Sequence, residues 1–210
     1  MDTRLIAFDY DGVLADSLEH NLAVAAHVCA SLGHARTATL ADVERLENVS
    51  FTALGLELGM SPAMAAEFDR QCLANPDVAT AQVGLFAGIP EAVQALAATC
   101  QLAVVSSNAA ATVQPLLAAH GLQRFFQWIL GAETAGNKAD KLAALAAQLD
   151  VSRANVVMVG DGVSDIRAAK AAGVRSVAVT WGYHSRAKLE RERPDHIVDT
   201  PVDLVRIFAD

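Results

Sequence analysis

The sequence predicts an α/β protein built on a parallel sheet, with an all-helical block inserted after the first strand. Three observations predict it. From Ile89 onward, short apolar or β-branched runs alternate with helical segments, the pattern of parallel strands joined by crossover helices. A similar run, Leu5–Phe8, stands alone near the start. Between Asp16 and Gly84 apolar residues recur at helical spacing and no convincing strand appears. With 210 residues, 53 % of them apolar, the chain can bury such a core.

Taken in order, Leu5, Ile6, Ala7 and Phe8 read as a strand buried on both faces, and Gly12 permits the turn out of it. A helix follows from Asp16 to Leu32, with Leu18, Leu22, Ala25, Ala26, Cys29 and Leu32 on one face and Gly33 as its stop. Helices are expected over 40–46, 51–58 and 62–73, the last with Ser61 as its cap. The rhythm then changes. Strands are expected over 102–105, 126–130, 156–159 and 176–180, and helices over 90–98, 113–120, 139–149 and 164–172. The expected division is a core of residues 1–14 plus 89–210 and a helical insertion of residues 15–88.

Composition narrows the function classes. A formal net charge of −8 leaves no basic stripe to neutralise phosphates, so neither nucleic acid nor an anionic membrane is an expected partner. A small anionic ligand needs only a locally positive pocket. Cys29, Cys72 and Cys100 lack metal-type spacing and lie in apolar stretches, which suits small core residues in a reducing cytoplasm. The start of the chain has neither the basic region nor the apolar stretch of a secretion signal, and no run is long enough to span a bilayer.

Parallel sheets bind ligands outside the carboxyl ends of their strands. Asp9 and Asp11 follow the first strand, Ser106 follows 102–105, Lys138 precedes a helix, and Asp161 follows 156–159. Singly, each has a plain structural reading. The Asp-x-Asp-Gly of residues 9–12 suits a surface turn, Ser106, Ser107 and Asn108 can cap a helix, Lys138 can be solvated, and Gly160–Asp165 can be a tight turn with Ser164 as a cap. Two carboxylates as close as Asp9 and Asp11, however, do not both stay ionised unless a cation or a proton lies between them. Magnesium is the hard, oxygen-seeking candidate.

The order Asp-x-Asp-Gly, then an apolar run ending in Ser106-Ser107-Asn108, then Lys138, then an apolar run ending in Gly160-Asp161 with Asp165 beyond, resembles the haloacid dehalogenase superfamily. The resemblance covers the whole chain. It implies a Rossmann-like core, and it likens the helical block to that superfamily's type 1 cap domain. Thr180–Tyr183 and Pro194–Thr200 look like its phosphoglycolate phosphatase branch.

That resemblance implies a magnesium-dependent phosphomonoesterase acting on a small phosphorylated metabolite, 2-phosphoglycolate first among them. Asp9 is the expected nucleophile, forming an aspartyl phosphate, and Asp11 the expected acid and base. The metal falls to the carboxylates of Asp9 and Asp161 and the backbone carbonyl of Asp11, with Asp165 behind them holding a metal-bound water or becoming a ligand. Ser106, with amides of Ser107 and Asn108, would donate hydrogen bonds to the phosphate. Lys138, with Lys141 as rival, would balance the charge. Among the insertion's cations Arg36, Arg45 and Arg70, Arg45 is the expected partner of a substrate carboxylate, against the plainer reading that all three are solvated.

Dehalogenases of the superfamily lack the second aspartate, and phosphonate hydrolases need an amine in an insertion that here has no lysine. A sugar-phosphate mutase of the β-phosphoglucomutase kind stays open as an alternative, although Asn21, beside His20, stands where mutases place a histidine. A non-catalytic, receiver-like phosphate-binding module is the alternative from another class.

Overall fold

The structure, a computed structural model, describes residues 4–75 and 83–208. The chain divides into two compact units, one of Met1–Asp16 with Gly84–Asp210 and one of Ser17–Val83.

The first unit is a six-stranded, all-parallel Rossmann-like sheet of order β5-β4-β1-β6-β7-β8. Its strands are β1 (Arg4–Phe8), β4 (Cys100–Val105), β5 (Phe126–Leu130), β6 (Val156–Gly160), β7 (Arg175–Val179) and β8 (His196–Val198). Between and after them run α5 (Ile89–Ala97), α6 (Ala110–Ala119), α7 (Lys138–Gln148), α8 (Val163–Ala172), α9 (Arg186–Arg191) and α10 (Pro201–Arg206). On one face Leu5, Ala7, Ala103, Val105, Val156 and Met158 pack against Leu142, Leu145 and Ala146 of α7 and Ala169 and Ala172 of α8. The alternate residues Ile6, Phe8, Leu102, Val104, Val157 and Val159 are buried as well. Burial on both faces is why these strands read as continuous apolar runs rather than alternating ones.

The chain leaves and rejoins this unit through a two-stranded ribbon. In it β2 (Ala15–Asp16) pairs antiparallel with β3 (Gly84–Leu85). This corrects the expectation of no strand before Gly84: a two-residue strand carries no period, and its partner is remote in sequence.

The second unit holds α1 (Leu18–Ser31), α2 (Leu40–Arg45), α3 (Phe51–Glu57) and α4 (Pro62–Ala74). Ser61 accepts the Met64 amide and starts α4, with Pro62 pre-set for the first helical position. Thr39 and Asp42 form a capping box at the start of α2. Val24, Val28, Cys29, Leu54, Phe68 and Cys72 are buried in this unit, and Phe51 meets Phe68 edge-on at 6.1 Å. Among the described residues no helix is long and apolar enough to cross a membrane.

Candidate active site

The carboxyl ends of β1, β4 and β6 lie side by side, so the residues just beyond them converge. Asp9 continues the β1 ladder, donating its backbone N–H to the Val159 carbonyl at 2.9 Å. Its Oδ1 accepts the Tyr10 amide at 2.8 Å and its Oδ2 accepts from Lys138 Nζ at 2.6 Å. Lys138 also donates to Asp165 Oδ1 at 2.5 Å, while Asp165 Oδ2 accepts the Gly162 amide at 3.0 Å. Beside them Asp161 Oδ2 accepts the Tyr183 amide at 2.7 Å. Asp9, Asp161 and Asp165 are buried, and each offers an oxygen within 4.8 Å of the others'.

Three buried carboxylates face one ammonium, and the electrostatics reflect that excess. Burial raises the Asp9 pKa to about 6 against the pull of Lys138, and Asp165 adds to the rise. Asp161 is pushed well above the ordinary range by burial, then by Asp165 and Asp9. Burial alone would lower the Lys138 ammonium, but Asp165 and Asp9 outweigh it and hold it charged. Such a cluster ionises fully when a cation supplies the missing charge, and an all-oxygen donor set suits a hard divalent ion.

Two glycines let the backbone close on this cluster. Gly12 has φ +73°, and a Cβ there would lie 2.0 Å from Asp161 Oδ2. A Cβ on Gly182 would lie 2.3 Å from both Cβ and Oδ2 of Asp161. Gly12 is legible as a turn residue. The close approach of Gly182 is not, because Asp161 lies on another strand end.

The Asp11 carboxylate lies outside the three-membered cluster. The strand ends at Phe8, so alternation does not extend to residue 11, and Asp11 Oδ2 accepts a hydrogen bond from Asn108 Nδ2 at 2.5 Å. Asn108 thus holds Asp11 through its side chain, a contact that sequence reading missed. Its backbone N–H is engaged too, donating to Ser106 Oγ at 3.1 Å, which leaves that amide committed in this state. Helix α6 is capped instead by Ala109, without a side-chain bond, while Glu133 accepts the Ala110 amide. Ser107, by contrast, is exposed in the turn between these residues.

Lys138 and Lys141 separate clearly. Lys138 is the first residue of α7 rather than its predecessor, because Asn137 and Asp140 form the capping box. Lys141, one turn on, donates to the carbonyls of Ser106 at 3.1 Å and Gly131 at 2.7 Å, tying together the loops after β4 and β5. Helix α8 likewise starts earlier than expected, at Val163. Asp165 Oδ2 accepts the Gly162 amide while the Gly162 carbonyl accepts the Asp165 amide, so Gly162 and not Ser164 is the cap. Arg45 belongs to the helical unit, where Asp42 and Glu57 hold its guanidinium; Arg36 is held by Asp42 and the Glu57 carbonyl, and Arg70 by Glu67.

Residues 6–179 match the family model of the haloacid dehalogenase-like hydrolases. The chain belongs to this family. Among curated relatives, a phosphoglycolate phosphatase of Synechococcus elongatus is 29 % identical over 204 residues, covering 97 % of this chain and 96 % of its own. One of Pseudomonas syringae pv. tomato is 32 % identical over 226 residues, covering 98 % of this chain and 78 % of its own. The fold is shared with a haloacid dehalogenase-like hydrolase of Streptococcus pneumoniae at a TM-score of 0.86, with 21 % identity and 98 % of both chains covered. Family and cluster together make this a hydrolase-type site with the carboxylates to bind a divalent metal ion.

Proposed function

We propose that this protein is a magnesium-dependent phosphomonoesterase with Asp9 as nucleophile, acting on a small phosphorylated acid, with 2-phosphoglycolate as the leading candidate. The observation that carries the reading is the setting of Asp9. One oxygen is pinned by the Tyr10 amide and the other by a Lys138 ammonium shared with Asp165, all at the carboxyl edge of the central strand.

The carboxylates of Asp9 and Asp161 and the backbone carbonyl of Asp11 would hold the metal. Asp165 would stand behind them, its Oδ2 on the Gly162 amide of its own turn and its Oδ1 on the Lys138 ammonium it shares with Asp9. When bound, magnesium supplies positive charge to the carboxylates and to the phosphoryl oxygens. Asp9 attacks phosphorus, forming its O–P bond as the ester O–P bond breaks, and Asp11 delivers a proton to the departing alkoxide. Asp11, now ionised, takes a proton from water as that water attacks the aspartyl phosphate, releasing phosphate and restoring Asp9. The Asn108 amide holds Asp11 for both transfers. The lasting charge of Lys138 balances Asp9 and the phosphoryl group, and Ser106 and the Ser107 amide would donate to phosphate oxygens.

The division into a catalytic core of residues 1–14 and 89–210 and a substrate-selecting insertion of residues 15–88 belongs to the same proposal. The substrate class rests on relatives named for phosphoglycolate at 29 % and 32 % identity. Arg45, whose Nε holds Glu57 and whose Nη2 holds Asp42, is the proposed partner of the substrate carboxylate.

The test is phosphate release from a panel of small phosphate esters, 2-phosphoglycolate included, with wild type beside Asp9→Asn. Release that requires both magnesium and Asp9 supports the mechanism, and a strong preference names the ester. No release from any ester, or interconversion of sugar phosphates without net release, overturns the phosphatase reading.

A further inference from the structure

The segment after β7 does more than leave the sheet. Gly182, Tyr183 and His184 close over the turn that carries Asp161, each making a different contact. Gly182 has no side chain where a Cβ would strike Asp161 and, at 2.4 Å, the Gly12 carbonyl. Tyr183 donates its backbone N–H to Asp161 Oδ2 at 2.7 Å. His184, only 1 % exposed, accepts the Val163 backbone N–H on Nδ1 at 3.1 Å.

The Val163 amide is one of the N–H groups that the first turn of α8 cannot satisfy internally. Its neighbour, the Gly162 amide, is taken by Asp165. The turn from Asp161 to Asp165 is therefore fastened from within by Asp165 and from outside by His184. Accepting the Val163 N–H leaves Nδ1 unprotonated, and the ring's other nitrogen lies 3.3 Å from Lys188 Nζ. None of the proposed chemical steps uses this imidazole.

We infer that His184 is a positioning residue for the carboxylate cluster: its Nδ1 holds the Val163 amide and thereby fixes the turn on which Asp161 and Asp165 are mounted. The inference rests on the proposal that the cluster holds a divalent cation. Groups that orient metal ligands without touching the metal affect affinity about 10- to 100-fold when removed.

The experiment is titration of the full chain with manganese(II) chloride, followed by electron paramagnetic resonance, on wild type, His184→Asn, His184→Leu and His184→Gln. Asparagine places Oδ1 close to the former Nδ1, glutamine reaches toward the Nε2 position instead, and leucine offers no acceptor. Manganese affinity is expected to fall about tenfold in His184→Leu and His184→Gln and to be rescued in His184→Asn. Thermal melts without cation identify which variants are folded at the titration temperature. Folded His184→Leu with wild-type affinity, or His184→Asn as weak as His184→Leu, overturns the inference. If leucine prevents folding, glutamine and asparagine decide, and equal affinities in those two overturn it. Absence of manganese binding to wild type would instead refute the metal site itself, a separate result.

Discussion

The Asp9 carboxyl should contribute less to the stability of the cation-free protein at pH 8 than at mild acidity. Burial raises its pKa from the ordinary 3.8 to about 6, with Lys138 opposing and Asp165 adding to the rise. The folded state therefore holds this proton more tightly than the unfolded chain does. Its stabilising contribution is complete below pH 3.8 and is lost as pH rises through about 6. At about 1.4 kcal/mol per tenfold change in proton affinity, the full span is worth about 3 kcal/mol, of which about 2 kcal/mol falls between pH 4 and pH 8. Asp9→Asn preserves the shape and abolishes the titration. Urea unfolding in the presence of a chelator should show wild type losing about 2 kcal/mol relative to Asp9→Asn across that interval. Magnesium at about a hundred times its dissociation constant should then return about 2.7 kcal/mol to wild type at pH 8. Parallel stability curves for the two proteins in chelator would refute the argument that burial outweighs the lysine at this carboxyl.

Lys138→Met leaves Asp9 and Asp165 without the ammonium they share, and should cost about 3–5 kcal/mol of cation-free stability at pH 8, read from urea midpoints. The same variant should lose phosphate release by about a hundredfold or more even when magnesium keeps it folded. Gly182→Ala should cost about 1–3 kcal/mol through overpacking against Asp161, and should weaken manganese binding in a direct titration. An alanine variant with wild-type melting and affinity would show that the backbone yields there without disturbing the carboxylate.

The centre of the sheet was legible because its strands are buried on both faces. Leu5–Phe8 and Val156–Val159 contain no polar residue, and that alone separated them from the alanine-rich helices around them. The helical insertion was legible for the opposite reason, its apolar residues recurring once per turn between clear stops such as Gly33 and clear starts such as Ser61. The ribbon of Ala15–Asp16 and Gly84–Leu85 was not, being defined by a pairing between remote residues. The short strand His196–Val198 was missed for want of length. Within the site, residues at strand ends could be found from position alone. The hold of Asn108 on Asp11 and of His184 on Val163 could not, because each depends on which loops the sheet order brings together.

That sheet order also governs when the protein can acquire its chemistry. Strand β1 is made first, yet it sits in the centre, between partners that begin at Cys100 and Val156. During synthesis the Asp9 strand must wait, apolar and unpaired, for β4 in the middle of the chain, and its second edge stays open until Val156–Gly160 has emerged. The cluster waits longer, since Asp161 acquires its Tyr183 hydrogen bond only after β7 has joined the edge of β6. Parallel pairing over such distances is slow to close. Nascent chains interrupted before residue 183 should therefore carry Asp9 without the assembled carboxylate cluster around it, which makes that cluster one of the last features of the fold to form.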